Sequence, residues 1–202
     1  HVSIRQASAR PRSNSERFLN SLSLRLQRLK KIDTMRVTEE NLAELADTIR
    51  RARPRAMFGY PSAVTLIASY MQDDRLPCLP IPSVCLGGER LYGRQKALLR
   101  QVFGADPYVR YGSNELHEVA AQCSLREGLH LLAGDFIVEV VDAAGSPLPP
   151  GARGRLLITS LHNYGMPFIR YENGDTGSFV PGTCPCGRGL PLLKTVLGRA
   201  DE

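Results

Sequence analysis

The chain has 202 residues, 43% of them hydrophobic, enough for a real core in one large or two small domains. No apolar run reaches the roughly eighteen residues that a membrane span needs. The basic, polar start from His1 to Arg12 does not read as a secretory signal. The net charge of +6 is gathered near the front, where Arg5, Arg10, Arg12, Arg17, Arg25, Arg28, Lys30, Lys31, Arg36, Arg50, Arg51, Arg53 and Arg55 fall. Such a run can make a nucleic-acid face, but no Phe or Tyr is interleaved for base stacking. It reads instead as the solvated side of two amphipathic helices, so nucleic acid and membrane are not expected partners.

In chain order, Ser15 to Lys31 places Phe18, Leu19, Leu22, Leu24, Leu26 and Leu29 near helical spacing. Thr38-Glu39-Glu40-Asn41 opens a second helix with a capping Thr and early carboxylates, which continues through Leu42, Leu45, Ala46 and Ile49 and stops before Pro54. Ala56-Met57-Phe58-Gly59 is a short buried strand. Pro61 suits a first helical turn and Ala63 to Met71 continue it. Pro82 to Leu86 is a strand ending in Gly87-Gly88-Glu89, Gly93 to Phe103 a helix, and Pro107 to Tyr111 a strand. Alternation of helix and strand from about 38 to 115 predicts a parallel sheet with flanking helices. Ligands of such sheets gather at the carboxyl ends of the strands, here Gly59-Tyr60, Gly87-Gly88-Glu89 and Gly112 to Glu115.

After Val119 the character changes. Phe136 to Val141, Gly154 to Thr159 and Thr176 to Val180 read as strands with Gly and Pro between them, which predicts a small antiparallel barrel or sandwich. The expected organisation is therefore a basic helical lead-in over 1–37, an α/β subdomain over 38–119 and a β-rich subdomain over 120–202.

Cys78, Cys85, Cys123, Cys184 and Cys186 are odd in number and do not form a secreted disulfide framework. A reducing, cytoplasmic setting follows. Cys123 and His130 flank a hairpin-like segment, and Cys184-Pro185-Cys186 sits in a Gly-rich turn. Three thiolates and an imidazole match a closed structural zinc site; the competing reading is buried free cysteines beside a surface turn. Cys78 and Cys85 read as plain thiols, and His117 and His162 as loop histidines.

Two further segments each combine an aromatic residue, a glycine and a carboxylate: Tyr111-Gly112-Ser113-Asn114-Glu115 and Tyr171-Glu172-Asn173-Gly174-Asp175. With Gly59-Tyr60-Pro61-Ser62-Ala63, Gly87-Gly88-Glu89, Thr159-Ser160-Leu161, Ile169-Arg170-Tyr171, Cys184-Pro185-Cys186-Gly187 and Gly198-Arg199-Ala200-Asp201, their order and spacing resemble the adenylate-forming enzymes, in the phenylacetate–CoA ligase branch. The resemblance implies a two-step reaction. A carboxylic acid, by default aromatic, reacts with ATP to give acyl-AMP, and a thiol such as coenzyme A then displaces AMP. It implies Gly87, Gly88 and Glu89 on the adenine side, Tyr111 stacked on the base, and Gly112, Ser113 and Asn114 behind the α-phosphate. It also implies Glu115 as ligand of the Mg²⁺ that accompanies ATP, Asp175 on the ribose hydroxyls, Arg199 reaching the nucleotide from a hinge, and Tyr60 and Pro61 lining the acyl pocket. Zinc in the β-rich part occurs in some members of that branch.

The chain departs from the pattern at Asn114, where Thr is usual, at Glu172-Asn173, where Asp-Thr is common, and at Glu202, where Asp is common. A Gly/Ser/Thr-rich phosphate loop and a lid with a catalytic lysine are absent from it, so the expectation is a ligase fragment that is inactive by itself. The alternative is a non-catalytic nucleotide-binding or zinc-stabilised interaction module.

Overall fold

The computed structural model describes residues 1–5, 15, 22–24, 26, 28–33 and 37–199. Much of the expected first helix lies outside these residues, although positions 15, 22–24 and 26 are helical. By its contacts the chain forms two compact units, His1–Pro107 and Tyr108–Glu202.

Among the described residues the first unit holds four parallel strands in the order β2-β1-β3-β4: β1 Val2–Arg5, β2 Lys30–Asp33, β3 Ala56–Gly59 and β4 Ser83–Gly87. The two leading strands were not foreseen; they pair within the sheet of the first unit. Val2 and Ile4 alternate with polar neighbours and are fully buried, the period expected of a strand, but four residues are too few for that signal to stand out. Helix α1, Leu42–Ala52, buries Leu42, Ala46 and Ile49 along one stripe, and Arg53 closes it in the left-handed conformation (φ 40°). Helix α2, Pro61–Asp73, starts with proline at its first position and buries Val64, Ile67, Ala68 and Met71. Helix α3, Gly93–Phe103, buries Leu99, Val102 and Phe103 and ends at Gly104. These side chains form one core with Met57, Val84 and Leu86 of the sheet, as expected for helices laid on a parallel sheet.

The second unit is antiparallel throughout, in the order β5-β6-β7-β11-β10-β9-β8. Its strands are β5 Tyr108–Ser113, β6 His117–Gln122, β7 Leu129–Leu131, β8 Phe136–Val141, β9 Gly154–Ser160, β10 Tyr171–Phe179 and β11 Leu192–Arg199. The unit begins earlier than the expected 119/120 boundary, because β5 pairs antiparallel with β6, Arg110 opposite Ala121 and Ser113 opposite His117. The Tyr111 hydroxyl lies 2.8 Å from the Asp175 carboxylate, although β6, β7 and β11 stand between β5 and β10 in the ladder. On a flat sheet those four steps would span about 19 Å. The sheet therefore curls strongly, as the barrel form of the expected barrel or sandwich would.

Glycine is required where the hairpin of β5 and β6 closes. A Cβ on Gly112 would stand 1.7 Å from the His117 carbonyl oxygen, at a point where the pairing slips by a residue. Gly112→Ala is expected to destabilise this unit by on the order of 3 kcal/mol in urea unfolding. Gly134→Ala, whose added methyl meets nothing within 4 Å, is expected to stay within about 0.5 kcal/mol of the unaltered chain.

Candidate functional site

In the first unit, Tyr60, Pro61, Gly88 and Glu89 come together through one carboxylate. Glu89 accepts from the Ser62 backbone N–H at 2.8 Å through one oxygen and from the Ser62 hydroxyl at 2.8 Å through the other. Ser62 lies in the first turn of α2, where backbone N–H groups have no helical partner and the dipole favours negative charge. Glu89 thus caps a helix 27 residues away in sequence, and both its oxygens are engaged there. Gly88 has φ +84°, and a Cβ on it would fall 2.4 Å from the Tyr60 ring. The glycine supplies a left-handed turn and also the space in which Tyr60 lies.

In the second unit, Tyr111, Asn173 and Asp175 form a closed hydrogen-bonded triangle. The Tyr111 hydroxyl donates to Asp175 Oδ2 at 2.8 Å, and Asn173 Nδ2 donates to the same oxygen at 2.6 Å and to the Tyr111 hydroxyl oxygen at 2.8 Å. Asn173 Oδ1 accepts from the Asp175 N–H at 3.2 Å. Burial, with the Asp175 charge beside it, pushes the Tyr111 phenol far above its ordinary range, against the Asn173 hydrogen bond. The Tyr111 ring is only 8% exposed, so most of it is core.

Asn173-Gly174 is not the hairpin turn that the dipeptide suggests. It interrupts β10, where pairing to β9 passes from Glu172↔Leu157 to Thr176↔Arg155. Pairing to β11 slips again between Asp175 and Gly177. Bulges of this kind re-aim side chains, and here the re-aimed residue is Asp175. Its cross-strand partner is Arg199, so the last two expected nucleotide residues share one rung.

The turn between β5 and β6 holds the remaining residues. Ser113 Oγ accepts from the Leu116 N–H at 3.2 Å, and Asn114 and Glu115 are exposed at its tip. Arg110 and Glu118 pair at 2.5 Å across the hairpin. His117 is exposed beside this turn with φ 58°. His162 is elsewhere, with Nε2 3.0 Å from the Gly134 carbonyl oxygen.

Cys123, His130, Cys184 and Cys186 converge as their spacing suggested, their ligand atoms all within 4.8 Å of one another. Cys123 follows β6, His130 is the middle residue of β7, and the other two lie in the loop from β10 to β11. Cys123 and Cys184 sulfurs are 3.8 Å apart, and Cys186 Sγ is 3.4 Å from His130 Nε2. A tetrahedron with Zn–S bonds of about 2.3 Å has edges of about 3.8 Å. Among the described residues His130 Nδ1 is buried without a hydrogen-bond partner, and Nε2 faces the Cys186 sulfur. Burial, and then the nearby Arg188 charge, lower the His130 pKa, which favours the neutral ligand form. The Arg188 backbone N–H holds the Cys186 thiol below its usual range. Cys184 stands above its usual range: the Cys186 backbone N–H acts downward but is outweighed by burial and by the Cys186 and Cys123 thiols. Crowded sulfurs resist joint ionisation, which is what a cation would relieve. Cys78 and Cys85 take no part.

Sequence reading did not anticipate Ser62 and Asn173. The signal for Asn173 was its place two residues before Asp175, a spacing at which Asn bonds to the backbone. Because Glu89 caps α2, Glu89→Ala is expected to lower the stability of the first unit by about 1 kcal/mol, read by thermal or urea unfolding. Adding Ser62→Ala to it is expected to cost little more, since the partner is already gone.

No family model matches the chain. Among curated proteins it is 38% identical over 96 residues to the phenylacetate–coenzyme A ligase of Thermus thermophilus, covering 46% of this chain and 22% of that protein. It is 30% identical over 122 residues to the namesake of Escherichia coli, covering 50% and 27%. The chain thus matches about a quarter of the length of these relatives. Among solved structures, an open conformation of 2-hydroxyisobutyryl-CoA ligase in complex with 2-HIB-AMP and CoA superposes with a TM-score of 0.79 at 22% identity, over 100% of this chain and 45% of that one. A benzoate CoA ligase from Burkholderia xenovorans gives 0.58 at 19% identity, over 80% and 34%. Over about half of its length the chain is similar in sequence to phenylacetate–coenzyme A ligases, and its fold matches part of the fold of solved coenzyme A ligases.

Proposed function

We propose that the chain is the nucleotide-handling part of an ATP-dependent acid–coenzyme A ligase. The observation that carries this reading is the 2.8 Å bond between Tyr111 and Asp175, which joins two motif segments 64 residues apart. In the proposed reaction a substrate carboxylate attacks the α-phosphate of ATP, pyrophosphate leaves, and a thiolate of coenzyme A displaces AMP from the acyl-adenylate. Positioning two anions and stabilising the charge that builds between them is the catalytic task. Asp175 accepts from the ribose hydroxyls. Gly87 and Gly88 let backbone approach the base, and Glu89 secures that loop on α2. Tyr111 acts mainly by holding Asp175, with its small exposed surface left for the base. Gly112, Ser113 and Asn114 shape the turn at the α-phosphate. Glu115, a hard oxygen ligand, would hold Mg²⁺, which when bound offsets phosphate charge. Arg199 would reach the nucleotide, and Tyr60 and Pro61 would line the acyl pocket. An aromatic acid is the expected substrate class, supported by the phenylacetate-named relatives.

The same reading takes Cys123, His130, Cys184 and Cys186 as a structural zinc site in which all four positions belong to the protein, leaving none for substrate. Five free cysteines fit a reducing compartment, the cytoplasm. Among the described residues no helix is long and apolar enough to cross a membrane.

Purified protein is expected to hold one zinc per chain by elemental analysis, with Zn–S distances near roughly 2.3 Å by X-ray absorption. Cys184→Ser should release the metal and destabilise the second unit, whereas Cys78→Ser should do neither. A metal-free folded chain would remove the zinc assignment. For the nucleotide, AMP is expected to bind weakly by calorimetry. Asp175→Ala should weaken it by at least roughly tenfold, the scale of a lost charge-assisted hydrogen bond. Equal affinity in the variant would leave the relationship describing fold and not function.

A further inference from the structure

We infer that Asn173 is a positioning residue that fixes which oxygen of Asp175 a ligand meets, so that the site reads a vicinal diol through Asp175 Oδ1. This rests on the reading of Asp175 as the ribose acceptor. The geometry sets three constraints. Asp175 Oδ2 already accepts two hydrogen bonds, from the Tyr111 hydroxyl and from Asn173 Nδ2, and neither of them engages Oδ1. Asn173 sends its second Nδ2 proton to the Tyr111 hydroxyl oxygen, which leaves the phenolic proton no better direction than the carboxylate. The amide orientation is fixed, because a flipped side chain would set its oxygen against the carboxylate and lose the 3.2 Å bond from the Asp175 N–H.

Asn173 is therefore held by the backbone of Asp175 while it holds the side chain of Asp175. A carboxylate rotates freely about its last bond in water. Here rotation would break two hydrogen bonds, so Oδ1 is pre-aimed and takes part in neither of them. A hydroxyl pair on adjacent ribose carbons can donate both protons to such an oxygen, and a nucleotide without them gains nothing from it. Preorganisation of this kind improves affinity by removing an ordering cost. Its effect must then be confined to ligands that use Oδ1.

The test compares AMP with 2′,3′-dideoxyadenosine monophosphate on the 202-residue chain by ligand-observed NMR titration. It also measures the exchange rate of the Tyr111 hydroxyl proton, assigned by its disappearance in Tyr111→Phe. The unaltered chain is expected to prefer AMP by roughly tenfold, the scale of one charge-assisted hydrogen bond. Asn173→Ala should cut the preference to within about threefold, leave the dideoxy affinity unchanged and speed exchange of the Tyr111 proton. Asn173→Thr, which retains one donor, should fall between. A preference for AMP that survives Asn173→Ala would overturn the role of Asn173 alone. Equal loss of both nucleotides would mark Asn173 as merely structural and overturn it too. An unaltered chain that binds both nucleotides alike would overturn the ribose assignment of Asp175 itself.

Discussion

The second unit is organised by one requirement, that β5 reach β10 across a ladder that separates them. The Tyr111–Asp175 hydrogen bond can form only if the intervening strands coil, and the coil carries Tyr111, Leu129, Val138, Leu156 and Leu193 into one core. A phenol with 8% exposure cannot remain unpartnered without a large desolvation cost. The carboxylate it finds is supplied by a strand that breaks its own pairing twice to deliver it. Core packing and the proposed ligand contact are thus one arrangement. The ring is buried because its hydroxyl is satisfied, and the carboxylate is oriented because the ring is buried.

The first unit solves a comparable problem with a helix end. Tyr60 rests in the space left by Gly88, and Glu89, the next residue, takes up the exposed N–H and hydroxyl of Ser62. The loop after β4 and the start of α2 are thereby tied to each other. The tie is electrostatic and lies at the surface, so it fixes the path of the loop more than it adds to global stability.

Much of this was legible in the sequence where the pattern is long. Helix α3 and strand β8 fall where their periodicity put them, at Gly93–Phe103 and Phe136–Val141. Strands β1, β2, β6, β7 and β11 escaped, the shortest because they show too little alternation and the others because their pairing is set by tertiary neighbours, whereas β3, equally short, was marked by its apolar run. Asn173-Gly174 carries turn chemistry that tertiary pairing overrode. The metal-type cluster was legible because cysteine and histidine are rare and chemically committed, so four of them at two loops constrain the fold. The bond from Glu89 to Ser62 was not legible at all. A single sequence shows that a carboxylate is present, not which helix end lies within its reach.

Strand β7 is three residues long and buried on both faces, with Leu129 opposite Leu193 and His130 opposite Leu192. Two leucines flanking a histidine give such a strand little means of choosing its own alignment, since a shift by two places keeps each face and puts one leucine where the other stood. The imidazole supplies what the leucines do not. Only in the observed alignment does its Nε2 stand 3.4 Å from the Cys186 sulfur. The sulfur cluster thus serves the second unit as a gauge of alignment as well as a fastening, and a chain folding without it would have to distinguish near-equivalent pairings of β7 by packing alone.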